Sequence, residues 1–287
     1  MTAVHDTAAS TPAPTTSAAD LLAERYGAAH AAELSGPEPG EVLRHQLAHR
    51  SVRAFRSEPV SEDAVTAIVA AAQSAPSSSN LQTWSVVVVR DREHKSRLAT
   101  LAGDQEFIRE APVFLVWLVD FARLDQLAGQ HGHGLDGADY VESAVQGFVD
   151  VGLAAQNGSL AAESLGLGTV FVGAIRNNPE QVADELGLPP RVVAAFGLAV
   201  GHPDPERPAR IKPRLPQDAV AHPERYRSDT QLPAIGEYET TIGAFYESEG
   251  LAHSWKERVL ARLGTVAGLK GRDRARESLR NLGFPLR

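Results

Sequence analysis

Residues 112–120 read PVFLVWLVD, an unbroken apolar run closed by an aspartate. A continuous run of β-branched and aromatic residues is typical of a strand that is buried on both faces of a sheet. Residues 84–90 (WSVVVVR) repeat the pattern, and residues 168–175 (GTVFVGAI) and 193–201 (VAAFGLAVG) read as two more strands. We therefore expect the core of the protein to be built around these segments.

Helical segments separate and follow the predicted strands. Ser61 is the expected N-cap of one helix, because Glu62 and Asp63 suit a first turn and apolar residues then recur at helical spacing. The helix expected over residues 140–165 is rich in Ala and Gly, which indicates tight packing against another helix. The other predicted helices cover residues 41–49, 92–101, 179–186, 238–249, 254–269 and 273–282, and residues 202–235 are proline-rich and irregular.

The composition excludes several classes of function. The 287 residues are 43% hydrophobic and carry a formal net charge of -8, so nucleic acid and anionic membranes are not expected as main partners. The absence of cysteine rules out disulfides, thiolate metal sites and thiol nucleophiles. No segment has the apolar length of a signal peptide or a membrane span. We expect a soluble, cytoplasmic protein.

The N-terminal part of the chain differs from the rest. Residues 1–19 are mostly Ala, Thr, Ser and Pro without hydrophobic periodicity, which predicts a disordered tail. A short helix is expected within residues 18–31, and SGPEPG at residues 35–40 would end it. We therefore expect an N-terminal extension over residues 1–40, disordered or partly helical, and one folded domain over residues 41–287.

Residues 49–53 read HRSVR, and with Arg56 they gather basic side chains in an acidic protein. Cations near the end of a helix interact favourably with its C-terminal carbonyls, so these residues could simply stabilise the helix over residues 41–49. Arginine also presents a planar fork of donors that suits a phosphate, and the hydroxyl of Ser51 could complete an anion site. The segment by itself leaves both interpretations open.

A second basic pair lies in the irregular segment after the last predicted strand, where Pro213 stiffens the backbone between Lys212 and Arg214. Charged loop residues are often only solvated. Together with residues 49–53, however, this pair could hold one phosphate group. Residues 77–80 (SSSN) could line a polar ligand or form a plain loop.

Other motifs give no support for a different chemistry. GLGTVFVG has the glycines of a dinucleotide fingerprint, but Gly166 and Gly168 follow a helix and precede a strand, the reverse of the Rossmann order. His131 and His133 lie in a glycine-rich loop without the carboxylate or cysteine partners of a metal site, so no metal is expected. The sequence contains no GxSxG elbow, no Walker A loop and no zinc-ligand pair.

A set of motifs in one order carries a resemblance to a known family: HRSVR, APSSSNLQ, GDQEF, AAQNGSLAAESLGLG, FVGAIRNNPE, FGLAVGHP and KPRLP. From about residue 41 onward the chain resembles the nitroreductase superfamily, in particular its group of oxygen-insensitive NADPH nitroreductases and NADPH-flavin oxidoreductases. The resemblance implies an α+β fold with a mainly antiparallel central sheet flanked by helices. It also implies an intertwined homodimer with FMN bound in its interfacial sites.

The resemblance also assigns residues to the cofactor. The positions that match FMN-contacting residues of the family are His49, Arg50, Ser51 and Arg53, then Ser77, then Gln105, Glu106 and Phe107, then Phe171, Val172, Gly173 and Ala174, and finally Lys212 and Arg214. The basic residues at both ends of this set would hold the phosphate, and residues 105–107 and 171–174 would line the isoalloxazine ring. Glu142 matches an active-site glutamate on the long helix.

The implied activity is that of an FMN-dependent oxidoreductase with NADPH or NADH as hydride donor. A small acceptor such as a nitroaromatic, a quinone or a free flavin then takes the place of the nicotinamide over the same ring. Relatives more often have Tyr-Ile-Gly-Gly where this chain has FVGA. They also carry an arginine-rich C-terminal segment, whereas this chain has YESEGLAHSWKERV at residues 246–259, with no arginine before Arg258. We therefore expect a weakened preference for NADPH over NADH. The alternative to an enzyme is a non-enzymatic FMN-binding or flavin-storage protein.

Overall fold

The structure, a computed structural model, describes residues 16–34 and 40–287. The chain divides into two compact units. Of the described residues, the first unit contains 16–34, 40–48 and 212–253, and the second contains 49–211 and 254–287. The tail predicted for residues 1–19 lies mostly outside the described part of the chain.

The second unit is built on an antiparallel sheet. Its strands are β1 (Trp84–Val89), β2 (Val113–Asp120), β3 (Gly168–Val172) and β4 (Val192–Gly201). They lie in the order β1-β2-β4-β3, and each neighbouring pair is antiparallel. The predicted strands and the antiparallel sheet are confirmed, although β3 ends at Val172 because the chain turns there into a 3-10 helix (Gly173–Asn177).

Most of the predicted helices are present, but the helices over residues 106–110 and 122–130 were not predicted. In chain order they are α1 (Ala18–Tyr26), α2 (Ala28–Glu33), α3 (Glu41–Leu47), α4 (Glu62–Gln73), α5 (Arg92–Leu101), α6 (Glu106–Glu110), α7 (Ala122–Gln130), α8 (Val141–Ser164), α9 (Pro179–Leu186), α10 (Gln231–Ser248), α11 (Trp255–Leu263) and α12 (Ala275–Asn281). Of these, α1, α2, α3 and α10 belong to the first unit. Among the described residues, no helix is both long enough and apolar enough to cross a membrane.

Strand β2 lies between β1 and β4, and its side chains alternate between the two faces of the sheet, so they contribute to a buried cluster on each face. Trp117 packs in one buried cluster with Val151 of α8, whereas Phe114 packs in another with Leu98 of α5 and Val182 of α9. Helices therefore cover both faces of the strand, which is why its sequence is an unbroken apolar run.

Helix α8 approaches the sheet closely because glycines lie on its inner face. A Cβ at Gly147 would lie 2.6 Å from Cγ1 of Val119, and one at Gly158 would lie 3.3 Å from the Trp117 ring. Ala154 on the same face is completely buried, and α8 also packs along α4. The tight packing that the small residues of this segment predicted is confirmed.

Strand β1 differs from its prediction. The valine run of residues 84–90 predicts a strand buried on both faces, but β1 lies at the edge of the sheet, and its residues other than Val89 are partly or fully exposed. An edge strand has a neighbouring strand on one side only, so its burial depends on what packs around the sheet as well as on the apolar pattern.

The first unit begins with α1, which has a complete capping box between Ser17 and Asp20. Gly27, with a φ of 83°, separates α1 from α2. A residue with a side chain would be strained at this angle, whereas glycine adopts it freely. The single helix expected within residues 18–31 is therefore two helices.

Other helix boundaries also differ from the prediction. α3 ends at Leu47, before its predicted end, and α10 begins at Gln231, before the predicted residue 238. Pro233 is compatible with α10 because it lies in the first turn, where a backbone N–H has no helical partner. α11 ends earlier than predicted, at Leu263, and a short 3-10 helix follows it.

We expect Gly197→Ala to destabilise the second unit, because a Cβ at Gly197 in β4 would lie 2.1 Å from the ring of Phe114. Overpacking a core typically costs about 1–3 kcal/mol, and such a close contact should lie at the upper end of this range. Gly129→Ala in α7 is the matched control, since a Cβ there meets nothing within 4 Å. Urea unfolding measures both variants, and an unchanged free energy of unfolding for Gly197→Ala would contradict the packing.

Candidate functional site

The HRSVR segment continues along the outer edge of β3. Ser51 forms a parallel bridge with Thr169, and the backbone N–H of Val52 donates to the Thr169 carbonyl at 2.9 Å. A Cβ at Gly168 would lie 2.7 Å from Cβ of Val52, so the approach requires glycine at this position. Val52 is buried, whereas Ser51 and Arg53 are exposed. Alternation along an extended segment therefore presents Ser51 and Arg53 on the same side.

Arg53 is a cation without an acidic partner. Within residues 16–34 and 40–287 no carboxylate lies within ion-pair distance of it, whereas Arg56 pairs with Glu58 at 3.2 Å. α3 ends at Leu47, so Arg53 lies well beyond its last turn, where a helix C-terminus attracts cations most strongly. For Arg53, the anion-site interpretation is therefore favoured over the helix-end interpretation.

His49 is oriented by a chain of hydrogen bonds from α8 and β3. Its Nδ1 lies 2.7 Å from Oε1 of Glu163, which also accepts from the Thr169 hydroxyl at 2.9 Å. Ser159 and Thr169 are buried, with their hydroxyl oxygens 2.8 Å apart. The one hydroxyl proton of Thr169 goes to Glu163, so Ser159 donates to Thr169. Glu163 fixes the His49 ring, and the sequence analysis did not identify it.

Ser77 lies at the start of a loop that a buried carboxylate holds. Asp150 of α8, 2% exposed, accepts hydrogen bonds from the Ser77 hydroxyl at 3.0 Å and from the Ser78 N–H at 3.1 Å. The Ser77 oxygen in turn accepts from the N–H of Gln82 at 2.8 Å. The side chain of Ser77 is engaged within the loop, and Asp150 is a second residue that the sequence analysis missed.

The same loop contains backbone conformations that residues with side chains rarely adopt. Ser79, Asn80 and Gln82 have φ of 49°, 56° and 53°. Left-handed residues of this kind cost of order 1–3 kcal/mol each and persist where the surroundings hold them. Here the buried carboxylate of Asp150 supplies such a restraint. Asp104, directly before residues 105–107, also has a positive φ, of 60°.

The segments expected to line the isoalloxazine ring both have residues that pack on the core of the second unit. Phe107 and Ala174 both pack against the buried cluster on the α5 side of the sheet. Phe171 is 37% exposed and meets Phe196 edge to face, with ring centroids 5.4 Å apart. Val172, between these positions, is buried in the core. Phe107 and Ala174 therefore share one side of the core, and the assignment of residues 105–107 and 171–174 to one ring stays a prediction.

The polar residues of the first of these segments form a local network. Nη1 of Arg109 donates to Oε2 of Glu106 at 2.8 Å, and Nε2 of Gln105 donates to the carbonyl of Gly103 at 3.1 Å. Hydrogen bonds to Asp104, and then to Glu106, raise the pKa of Arg109. These side chains stabilise the turn that precedes α6, and their assignment to a cofactor stays a prediction.

Three arginines that are distant in sequence come together after the FVGA segment. Burial, and then the charge of Arg262, lowers the pKa of Arg176. Burial, and then the charges of Arg176 and Arg262, lower the pKa of Arg272, whose Nε donates to Oδ1 of Asn177 at 2.8 Å. Among the described residues, none of the three has a carboxylate within ion-pair distance. The sequence analysis did not identify this cluster.

Glu142 stands apart from these groups. It lies in the first turn of α8, where the helix dipole stabilises an acidic side chain, and it is exposed. Within the described part of the chain, no hydrogen bond or ion pair joins it to the other predicted site residues. Its catalytic assignment stays a prediction.

Lys212 and Arg214 belong to the first unit, where they have no acidic partner among the described residues. Nη1 of Arg214 donates to the carbonyls of Lys212 and Pro213, each at 3.2 Å. Nζ of Lys212 lies 5.1 Å from the centre of the Tyr246 ring, within the range of a cation–π contact. Like Arg53, these are cations whose charge an anion could neutralise.

We expect Asp150→Leu to destabilise the second unit, because the Ser77 hydroxyl, the Ser78 N–H and the Thr83 hydroxyl would lose their acceptor. An unsatisfied buried donor costs about 1–3 kcal/mol, so the free energy of unfolding should fall by about 3 kcal/mol. Asp63→Ala, at an exposed position of α4, is the control and should change it by less than about 1 kcal/mol. Equal stability of Asp150→Leu and the wild type in urea would show that the carboxylate does not hold the loop.

Comparison with known proteins covers nearly the whole described chain. The model of the Nitroreductase family matches residues 47–105 and 99–202, and that of the Nitroreductase family, C-terminal domain, matches residues 212–287. The chain is 44% identical over 193 residues to an FMN reductase (NAD(P)H) of Bacillus subtilis, an alignment that covers 67% of this chain and 77% of the relative. It is 39% identical over 220 residues to an NADPH-flavin oxidoreductase of Vibrio harveyi, covering 76% of this chain and 88% of the relative.

Solved structures give the same result. A hypothetical oxidoreductase from Bacillus subtilis superposes with a TM-score of 0.82 at 35% identity, covering 86% of this chain and 99% of its own. An NADPH:FMN oxidoreductase from Vibrio harveyi, solved with NAD+, superposes with a TM-score of 0.77 at 35% identity, covering 86% of this chain and 100% of its own. The chain belongs to the nitroreductase family and has the α+β fold that its motifs implied.

Proposed function

We propose that the chain is an FMN-dependent NAD(P)H oxidoreductase that reduces small acceptors such as nitroaromatics, quinones or free flavins. The observation that carries the proposal is that proteins similar to it over most of their length are named FMN reductase and NADPH-flavin oxidoreductase. The structure adds physical support, since Arg53, Lys212 and Arg214, which the motifs assign to the flavin phosphate, have no acidic partner in the described chain.

The donor chemistry of these residues fits the phosphate of FMN. Arginine forks form charge-assisted hydrogen bonds to phosphate oxygens, and the exposed hydroxyl of Ser51 lies on the same side as Arg53. His49 and Arg50 precede them and are assigned to the phosphate and the ribityl chain. Lys212 and Arg214 are proposed to contribute to the same group from the other end of the motif set.

The isoalloxazine ring would contact residues 171–174 and residues 105–107. Phe171 offers exposed apolar surface to a planar ring. Gly173 and Ala174 open a 3-10 helix, whose first N–H groups have no partner within the helix and can donate to a ligand. A backbone donor of this kind near the polar edge of the ring would stabilise negative charge there.

When bound, FMN supplies the hydride and electron transfer that the side chains of this protein cannot perform. The chain's own residues would hold the phosphate and line the ring. A nicotinamide and an acceptor would bind in turn at the same site, so we expect ping-pong kinetics. Glu142 is proposed as the active-site glutamate that the resemblance implies, and a cytoplasmic location is proposed from the sequence.

A flavin-storage protein is the weaker candidate, because the similar proteins are named as reductases. The nicotinamide preference is a separate question. The segment ESEGLAHSWKERV (residues 247–259) carries Glu247 and Glu249 and has no arginine before Arg258, which predicts a weakened preference for NADPH. The cluster of Arg176, Arg262 and Arg272 supplies cations that this prediction did not consider. The specificity constants for NADPH and NADH, measured at one acceptor concentration, show whether the preference for NADPH is weakened.

We expect the purified protein to be yellow and to oxidise NADPH or NADH with a nitroaromatic or a quinone. Arg53→Ala combined with Arg214→Ala should purify folded but largely colourless. Each arginine contributes charge-assisted bonds of about 1.5–3 kcal/mol, so FMN binding should weaken about a hundredfold or more. Absorbance after gel filtration and a fluorescence titration with FMN measure the loss.

Arg56→Ala is the control for this pair, because Arg56 is already neutralised by Glu58 and should retain FMN. Stoichiometric FMN in the double variant would show that the phosphate assignment is wrong. A yellow protein without turnover for either nicotinamide would instead favour the storage function.

We propose a homodimer, supported by an apolar stripe on the outer face of α8. Val141, Val145, Val149 and Leu153 recur every fourth residue and are 49%, 51%, 55% and 42% exposed. Residues at this spacing share one side of a helix, and an exposed apolar stripe on a long helix is typical of a subunit interface. A second copy of the chain is the occupant that the family resemblance implies.

Val149→Asp should convert the dimer to a monomer, because it places a charge in the centre of this stripe. Leu127→Asp on α7 is the matched control, since Leu127 is 54% exposed but lies outside the stripe, and it should stay dimeric. Light scattering at micromolar concentration measures the mass against that of the 30.6 kDa chain. A wild-type monomer, or a dimer that tolerates Val149→Asp, would refute the interface.

A further inference from the structure

The first unit contains a buried cation that the proposed function does not use. Arg25, in the last turn of α1, is 6% exposed. It lies before residue 47, where the match to the family begins. Nη1 of Arg25 donates to the carbonyl of Lys212 at 2.9 Å, and Nη2 donates to the carbonyl of Leu47 at 2.9 Å.

These contacts fix the backbone of the segment Lys212, Pro213 and Arg214 at several points. Arg25 returns a further bond through its own carbonyl, which accepts from the N–H of Arg214 at 2.8 Å. The hydroxyl of Tyr238 in α10 donates to the carbonyl of Pro213 at 3.4 Å. With φ of Pro213 set by its ring, the backbone that carries the two cationic side chains has little freedom left.

Burying Arg25 in this place has an energetic cost. Burial lowers its pKa, and the charge of Arg214 lowers it further. A packed apolar residue would avoid both costs and could anchor α1 in the way that the buried Leu21 does. Only a planar guanidinium offers several donors in a fixed fork that reaches two carbonyls at once. The arrangement is therefore better explained by what it does to residues 212–214 than by anchoring alone.

We propose that Arg25 is a positioning residue for Lys212 and Arg214, so that helix α1, which lies outside the family match, sets the backbone from which these two cations would bind the flavin phosphate. This inference rests on the proposed function, because Lys212 and Arg214 are the cations assigned there to the phosphate. Nη1 and Nη2 of Arg25 donate to backbone carbonyls. Its role is to hold the loop, and its charge adds to the positive potential around it.

The test compares two flavins, because riboflavin lacks the phosphate that Lys212 and Arg214 are proposed to bind. Dissociation constants for FMN and riboflavin are measured by flavin fluorescence with the full-length apoprotein. Arg25→Met should weaken FMN about tenfold, as expected for the loss of hydrogen bonds to a charged donor, and leave riboflavin within about twofold. A role in general stability would weaken both flavins alike.

Two further variants separate charge from geometry. Arg25→Lys keeps the charge but replaces the fork by a single ammonium, so it should recover part of the FMN affinity and remain about threefold weaker than wild type. Glu41→Gln is the control, because Glu41 is an exposed residue of α3 in the same unit, and it should leave both dissociation constants unchanged. Full recovery by lysine would show that Arg25 acts through its charge alone and would overturn the positioning role.

A double-mutant cycle distinguishes this inference from the function on which it rests. If Lys212→Ala with Arg214→Ala weakens FMN and riboflavin equally, the phosphate assignment fails, and this inference fails with it. If the Lys212→Ala, Arg214→Ala variant selectively loses FMN affinity but Arg25→Met does not, only the positioning role fails. The same holds if Arg25→Met has an equal effect on FMN affinity with and without the other two substitutions. We expect the effect of Arg25→Met to shrink to below about twofold in the paired background.

Thermal unfolding of each apoprotein accompanies these titrations. If Arg25→Met does not fold, Tyr238→Phe provides a second route, because it removes a hydrogen bond to the Pro213 carbonyl from the same loop. This variant should shift the ratio of the FMN and riboflavin dissociation constants in the same direction, by about twofold. An unchanged ratio in both Tyr238→Phe and Arg25→Lys would overturn the inference.

Discussion

The close packing of helix α8 on strand β2 is the contact on which the rest of the second unit depends. It is possible because Gly147 and Gly158 face Val119 and Trp117, where a methyl group would already be too close or very tight. The helix thereby lies low enough for Val151 and Ala154 to be completely buried. Since packing at this distance leaves no room for adjustment, α8 has one position on the sheet, and everything it carries is placed with it.

Helix α8 carries groups of three kinds. Its small residues pack on the sheet, and its outer apolar stripe around Val149 is available to a second copy of the chain. Asp150 and Glu163 extend from it to the serine-rich loop and to His49. The core and the candidate site are therefore not independent, because the helix that closes the core also holds two of the segments that the family motifs assign to the flavin.

Unpaired cations mark the candidate site more clearly than pKa shifts do. Many arginines of this acidic protein are matched by a carboxylate, as Arg97 is by Glu185 at 2.8 Å. Arg53, Lys212 and Arg214 are not, within the described residues. An exposed cation without an acidic partner is hydrated, so leaving it unpaired costs little folding free energy. It can then form charge-assisted hydrogen bonds to a phosphate without first breaking an ion pair. Arg25 adds a different case, a buried cation whose donors order the backbone of the neighbouring loop.

The sequence by itself determined the strands, most helices, the family and the residue types that are proposed to bind a phosphate. These properties are local or depend on motif order: the apolar run of β2 reads as a buried strand, and Arg53 and Arg214 can be matched to a motif one at a time. The tertiary structure decided which side chains meet. Glu163 and His49 are far apart in the chain, as are Asp150 and Ser77, and so are Arg176, Arg262 and Arg272. No pattern within one segment encodes such pairs, because each forms only when packing brings separate segments together. The same reason explains why the valine run of β1 did not reveal an edge strand, and why Arg25, in a segment that resembles no motif of the family, could be connected to residues 212–214 only through the folded backbone.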